Sequence, residues 1–89
     1  MKEVLKRLYQ LNHKYKMSGE LTREESAELT SLMETVKNQI NSIEDDYAKY
    51  CLNERYINAK PWQTIADEMG YYSDDSVRKC CERAIKKYM

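Results

Sequence analysis

The sequence predicts an all-α protein in which an N-terminal helical hairpin (residues 1–46) with a heptad seam joins a C-terminal helix-turn-helix unit (residues 47–89). Three observations lead to this fold class. Gly and Pro are scarce and charged residues make up 34% of the chain, a composition that favours helices with short connections. Apolar residues recur at helical spacing along most of the chain, and no convincing run of alternating strand residues is present. Each of the two glycines directly follows a predicted helix, where a left-handed residue is common.

The first predicted helix covers residues 2–17. Its apolar stripe repeats at spacings of four and three residues and consists of Val4, Leu8, Leu11 and Tyr15, widened by Leu5. Gly19 is expected to end this helix. The basic residues and His13 lie off the stripe, so we expect them on a solvated face and assign His13 no role.

A second helix is predicted to begin after Thr22, because Thr22 and Glu25 match a capping box. Its apolar positions alternate spacings of four and three over about three heptads. These positions are Leu29, Met33, Val36, Ile40, Ile43, Tyr47 and Tyr50. A heptad seam predicts left-handed, coiled-coil-like packing.

This seam is roughly twice as long as the stripe of the first helix, so its second half needs another partner. That partner is either the helix-turn-helix unit of the same chain or a second copy of the protein. A homodimer would place two recognition helices on one DNA duplex. The long helix either continues from Arg23 to about Ile57 or bends near Glu44–Asp46, and both alternatives are open from the sequence.

Residues 61–88 have the pattern of two helices joined by a tight turn. Pro61 suits a first helical turn, and Gly70 ends the apolar run of Trp62, Ile65, Ala66 and Met69. Ser73 is a suitable N-cap for the second helix, with Asp74 and Asp75 in its first turn. The turn is one residue longer than is usual for the motif, and we assign the extra residue to Tyr71–Tyr72. Residues expected to face the core of this unit are Cys51, Leu52, Tyr56, Val77, Cys81, Ala84, Ile85 and Tyr88.

The other side of the second helix is basic, which is the design of a helix that enters the major groove of DNA, here about residues 74–88. Arg78 and Lys79 are candidates for guanine edges or phosphates. Further along, Arg83, Lys86 and Lys87 are candidates for phosphates. Ser76 is an exposed residue of the first turns, and Gln63 and Thr64 of the preceding helix are candidates for phosphate contacts.

Composition and charge limit the remaining function classes. The formal net charge is zero, but five basic residues face a single acid, Glu82, from Ser76 onward. Three cysteines with an adjacent pair predict structural thiols rather than a disulfide framework or a metal site. No catalytic constellation is recognisable, so we expect no enzyme and no cofactor. Neither a membrane span nor a signal-peptide core is apparent, and a cytoplasmic location is the expectation.

Three segments of residues 51–88 carry a family resemblance: RYI at Arg55–Ile57, PWQTIADEMGY at Pro61–Tyr71 and SVRKCCERAIKKY at Ser76–Tyr88. They resemble region four of bacterial sigma factors, and more closely the sigma-like regulators of Gram-positive phages and prophages. The resemblance implies double-stranded DNA binding and control of transcription, often of late phage genes, with RNA polymerase as a further partner. The longer turn and the pair Asp74–Asp75 depart from the family pattern.

A second hypothesis is a helical adaptor whose main partner is a protein. The hairpin and its heptad seam support this interpretation. RNA polymerase is one candidate partner. A phage packaging complex is another, because small terminase subunits also combine a helix-turn-helix with helical oligomerisation segments. Steep salt dependence of DNA binding would distinguish a DNA-binding protein from a pure adaptor.

Overall fold

A computed structural model describes residues 1–70 and 73–89, and every regular element within them is helical. Helices account for 82% of the described residues, which confirms the all-α prediction at this level. In chain order the elements are α1 (Lys2–Ser18), α2 (Arg23–Asn41), α3 (Asp46–Leu52), a π-helical turn (Asn53–Ile57), α4 (Trp62–Met69) and α5 (Asp74–Tyr88).

The end of α1 and the start of α2 follow the predicted local chemistry. Gly19 has a φ of 73° and donates its backbone N–H to the carbonyl of Tyr15 over 2.7 Å. Thr22 Oγ1 accepts from the backbone N–H of Glu25 at 3.1 Å, and Glu25 Oε1 accepts from the N–H of Thr22 at 3.0 Å. This reciprocal pair is the predicted capping box, and it satisfies two backbone donors that the first helical turn leaves without carbonyl partners.

Ion pairs hold α1 beside α2. Arg7 donates two hydrogen bonds to Glu28, of 3.0 and 2.8 Å, and Lys14 contacts both carboxylate oxygens of Glu25 at 2.9 and 2.8 Å. The earlier residue of α1 thus pairs with the later residue of α2, as expected for neighbouring helices that run in opposite directions. The pairs are exposed and well screened, so burial of the apolar faces between the helices contributes more to stability.

The helix is interrupted between α2, which ends at Asn41, and α3, which begins at Asp46. The alternative of one continuous helix is therefore wrong. Residue Asp45 caps α3 by accepting from the backbone N–H groups of Tyr47 and Ala48, at 3.0 and 3.3 Å. The heptad seam does not continue past this break, because Tyr47 is 66% and Tyr50 38% exposed. The new cap restarts the helix in a different rotational register, in which Ala48, Cys51 and Leu52 are buried.

Most of the buried apolar residues form one cluster to which both predicted units contribute, and Leu11 and Ala59 are buried outside it. From the N-terminal unit it includes residues of α1 and α2 and the inter-helix residue Ile43. From the C-terminal unit it includes residues of α3, α4 and α5. The ten largest fully buried side chains are Leu5, Leu8, Leu11, Val36, Ile40, Cys51, Leu52, Ile65, Val77 and Cys81. The division of the chain into two units stays a prediction.

Asn12 is the polar exception to this apolar interior, with 9% of its surface exposed. Its Nδ2 donates to the carbonyls of Tyr56 and Ile57, at 2.9 and 3.1 Å. Carbonyls at the end of a helical segment lack N–H donors within the helix. The side-chain amide of Asn12 supplies the two N–H donors that these two carbonyls need. The inward side of α1 includes Asn12, whereas Tyr15, predicted to lie on the apolar stripe, is 56% exposed.

Replacing Asn12 by alanine should destabilise the fold by about 1–3 kcal/mol, because two carbonyls would lose their donor in a largely dry environment. Urea unfolding followed by circular dichroism measures this change. Gln10→Ala is the matched control on the exposed side of α1 and should stay within about 0.5 kcal/mol of the parent. Equal effects of the two substitutions would show that the Asn12 contacts do not stabilise the protein.

Stability should also depend on the ionisation of Glu25. The ion pair with Lys14, followed by the hydrogen bond from the Thr22 backbone, lowers the pKa of Glu25 to about 2 in the folded chain. A lowered folded-state pKa contributes stability above the unfolded-state value, and that contribution is lost as the pH falls from about 4.5 towards 2. Unfolding at a series of pH values should therefore show a smaller acid-induced loss for Glu25→Gln than for the parent.

Candidate nucleic-acid interface

The candidate interface is built on α4 and α5, which pack against each other through buried side chains. Ile65 and Ala66 of α4, and Val77 and Cys81 of α5, are fully buried. As predicted, Gly70 ends α4 in the left-handed region, with a φ of 76°. Ser73 caps α5 by accepting from the N–H of Ser76 at 3.4 Å. The predicted extra turn residue at Tyr71–Tyr72 lies outside the described residues.

All eight residues predicted to contact DNA are exposed. Two of them lie in the first turn of α4 and six lie along α5: Gln63, Thr64, Ser76, Arg78, Lys79, Arg83, Lys86 and Lys87. Three buried positions, Val77, Cys81 and Ala84, define the opposite side of α5. At 100° per residue, Lys79 and Lys86 project directly away from the core, while Arg78 and Lys87 lie on the two flanks.

The first two turns of α5 are electrically compensated. Asp75 forms ion pairs with Arg78, three residues later, and with Lys79, whose Nζ lies 3.1 Å from Asp75 Oδ2. Lys79, followed by Arg78, lowers the pKa of Asp75. Arg78 and Lys79, the two predicted base-contacting residues, therefore already have an anionic partner in the same helix. These two ion pairs were not among the predictions.

The last two turns of α5 carry uncompensated positive charge. Among residues 1–70 and 73–89, no ion pair involves Arg83, Lys86 or Lys87. Lys87 Nζ lies 5.3 Å from the ring centroid of Tyr88. A shallow depression of about 300 Å³ is lined by Lys79, Glu82, Arg83 and Lys86. This end of the helix therefore presents the more attractive surface to a polyanion.

Gln63 is less available than the sequence predicts. Its Nε2 donates to Asp67 Oδ1 at 3.0 Å, one helical turn later. The exposed amide retains a second N–H donor, since a side-chain amide has two. Thr64 is exposed beside it and has no side-chain hydrogen bond within the described part of the chain.

Arg55 positions the start of α4, a role that helical spacing does not predict. The guanidinium carbon lies 3.8 Å from the ring centroid of Tyr9 and 4.0 Å from that of Trp62. Its Nη1 donates to the carbonyl of Lys60 at 3.1 Å. Arginine between two aromatic faces is a favourable cation–π arrangement, and here it links α1, the π-helical turn and α4.

An ionic network fixes the connection before α4. Lys60 Nζ lies 2.5 Å from Glu54 Oε2 and 2.8 Å from Glu68 Oε1, and the Tyr50 hydroxyl donates to Glu68 Oε2 at 2.6 Å. The carboxylates of Glu54 and Glu68 raise the pKa of Lys60, which in turn lowers the pKa of Glu68. Sequence spacing gives no signal for this network, because its members come from three separate elements and from the connection that holds Lys60.

Other site classes find no support in the described residues. No group of three His, Cys, Asp or Glu side chains there is arranged to hold a metal ion. None of the helices within residues 1–70 and 73–89 has both the length and the apolar character needed to cross a bilayer.

Comparison with known proteins adds no family assignment. No protein-family model, curated protein or solved structure matches this chain. The resemblance to sigma-factor region four therefore stays a prediction that rests on the residues quoted above.

Proposed function

We propose that this protein binds double-stranded DNA sequence-specifically and regulates transcription, with α4 and α5 forming a helix-turn-helix and α5 lying in the major groove. The observation that carries the proposal is the division of α5 into two sides. One side is buried through Val77, Cys81 and Ala84, and five cationic side chains are exposed. The family resemblance extends the proposal to a phage or prophage regulator.

The two halves of α5 have different roles in this proposal. Arg83, Lys86 and Lys87 supply phosphate contacts, which contribute affinity regardless of sequence. Arg78 and Lys79 contact base edges. To do so, they break their ion pairs with Asp75 and form hydrogen bonds to DNA instead. Exposed ion pairs are weak because water screens them, whereas a bidentate arginine–guanine contact is worth about 1–3 kcal/mol of discrimination. The exchange is therefore favourable only where the correct base is present.

The helical adaptor remains the second candidate function, supported by an exposed aromatic surface on α3. The rings of Tyr47 and Tyr50 border a shallow depression of about 300 Å³, completed by Asp46, Glu68 and Met69. Aromatic residues and methionine are enriched in protein–protein interfaces. In this alternative the partner is RNA polymerase, a packaging complex of the small-terminase type or a second copy of the chain.

Selection of bound duplexes from a random DNA pool, with the protein mass measured in solution, tests the proposal. We expect an enriched sequence whose affinity falls steeply as salt rises, because counterions are released from the contacted phosphates. A palindromic sequence together with a dimer mass would support a homodimer on DNA. Recovery of no sequence, with no salt-dependent binding, would contradict the proposal and leave the adaptor as the better candidate.

Arg78→Ala and Lys86→Ala should affect DNA binding differently. Loss of Arg78 should reduce affinity for the selected sequence about tenfold or more and relax preference at one position. Loss of Lys86 should weaken all sequences alike and reduce the slope of log affinity against log salt by about 0.9. Fluorescence anisotropy at several salt concentrations measures both effects. Unchanged affinity in both variants would rule out α5 as the DNA-contacting helix.

Asp75→Asn should tighten DNA binding by about threefold or more, because it removes a negative charge from the helix proposed to contact DNA and releases Arg78 and Lys79. Asp74→Asn is the matched control. It removes the same charge from the same helical turn, but Asp74 forms no ion pair within the described residues. If the two variants gain affinity equally, the ion pairs of Asp75 do not restrain the two cations.

A further inference from the structure

The three cysteines lie together although they are far apart in the chain. Cys51 belongs to α3, and Cys80 and Cys81 belong to α5. The Sγ atoms of Cys51 and Cys80 are 4.0 Å apart, and Cys51 Sγ also donates to the carbonyl of Ala48 at 3.3 Å. Formation of a disulfide would require the two sulfurs to approach by about 2 Å, which rotation of the side chains can supply in part.

The two thiols of this pair differ in their access to solvent. Cys51 is fully buried, whereas Cys80 is only partly buried. The neighbouring Cys81 thiol, together with burial, raises the pKa of Cys51, so Cys51 stays protonated at neutral pH. An oxidant that arrives from solvent therefore meets Cys80 first, and Cys51 is placed behind it.

We propose that Cys51 and Cys80 are a redox modification site, which a small disulfide such as glutathione disulfide converts into an intramolecular bridge between α3 and α5. This inference goes beyond the proposed function and does not rest on it. The pairing follows from position. Cys80 and Cys81 project about 100° apart on one helix and cannot readily bridge. Cys81 also neighbours Cys51, but both of these thiols are fully buried, so a disulfide from solvent reaches Cys80 first and the bridge forms between Cys80 and Cys51.

The chemistry is a two-step thiol–disulfide exchange. The Cys80 thiolate first attacks one sulfur of glutathione disulfide, which forms a mixed disulfide on Cys80 and releases one glutathione thiolate. The Cys51 sulfur then attacks the Cys80 sulfur while its proton passes to the sulfur of the departing second glutathione, which leaves as a thiol on the solvent side. Two protein thiols are oxidised by two electrons, and one glutathione disulfide is reduced to two glutathione thiols.

The bridge would tie α5 to α3 and close a loop that contains the whole of α4. Closing such a loop reduces the conformational freedom of the unfolded chain, and we expect the melting temperature of the oxidised protein to rise by about 5 °C or more. Addition of dithiothreitol should reverse this shift.

The test is incubation of the full chain with glutathione disulfide, followed by mass spectrometry of the intact protein and of its tryptic peptides. We expect a loss of about 2 Da, the mass of two hydrogens, and a monomeric product. Trypsin cleaves after Lys49, Arg55, Lys79 and Arg83, so the bridge would join the peptide of residues 50–55 to that of residues 80–83.

Two variants assign the bridge, because the second peptide contains both Cys80 and Cys81. Cys80→Ser should retain one glutathione at most and form no cross-linked peptide, whereas Cys81→Ala should still form it. Circular dichroism of each variant verifies folding before oxidation. A cross-link that survives in Cys80→Ser, a covalent dimer, or a glutathione that stays on Cys80 of the parent would overturn the proposal. The parent protein alone decides the last two outcomes, so the test does not depend on either variant folding.

Discussion

The interruption of the helix between α2 and α3 is the constraint on which the rest of the fold depends. The apolar seam of α2 packs into one shared core, and Ile43 is the last residue of that core before α3 begins. The Asp45 carboxylate then accepts hydrogen bonds from two backbone N–H groups, and this cap starts α3 in a new rotational register. Because of that register, Ala48, Cys51 and Leu52 face inward, and α3 becomes the surface on which α5 packs.

Contacts from α1 hold the middle of the chain in place. Asn12 binds two carbonyls at the end of the π-helical turn, and Tyr9 covers one face of Arg55 while Trp62 covers the other. Because these contacts reach the start of α4, the N-terminal helix helps to position the pair α4–α5. Tyr9 and Asn12 therefore connect α1 to the π-helical turn, and Arg55 of that turn contacts Trp62 at the start of α4.

The formal net charge of the chain is zero, but the charge distribution of α5 provides the basic surface that the proposed function needs. Asp75 neutralises the first half of the helix through Arg78 and Lys79, and the second half retains Arg83, Lys86 and Lys87. Affinity and selectivity are thereby separated along one helix in the proposed function. In that proposal, the half with uncompensated charge attracts any duplex, and the compensated half exchanges Asp75 for a base edge.

Features that depend on near neighbours in the chain could be predicted from the residues alone. The ends of α1, α4 and α5, the Thr22–Glu25 capping box and the burial of Val77 and Cys81 all follow from local backbone requirements and helical spacing. Three further features became apparent in the folded chain: the seam stops before Tyr47, Asn12 faces inward, and Cys51 lies beside Cys80. These outcomes depend on contacts between residues distant in sequence, and apolar periodicity cannot reveal which distant partner will satisfy a polar group or cover an apolar one.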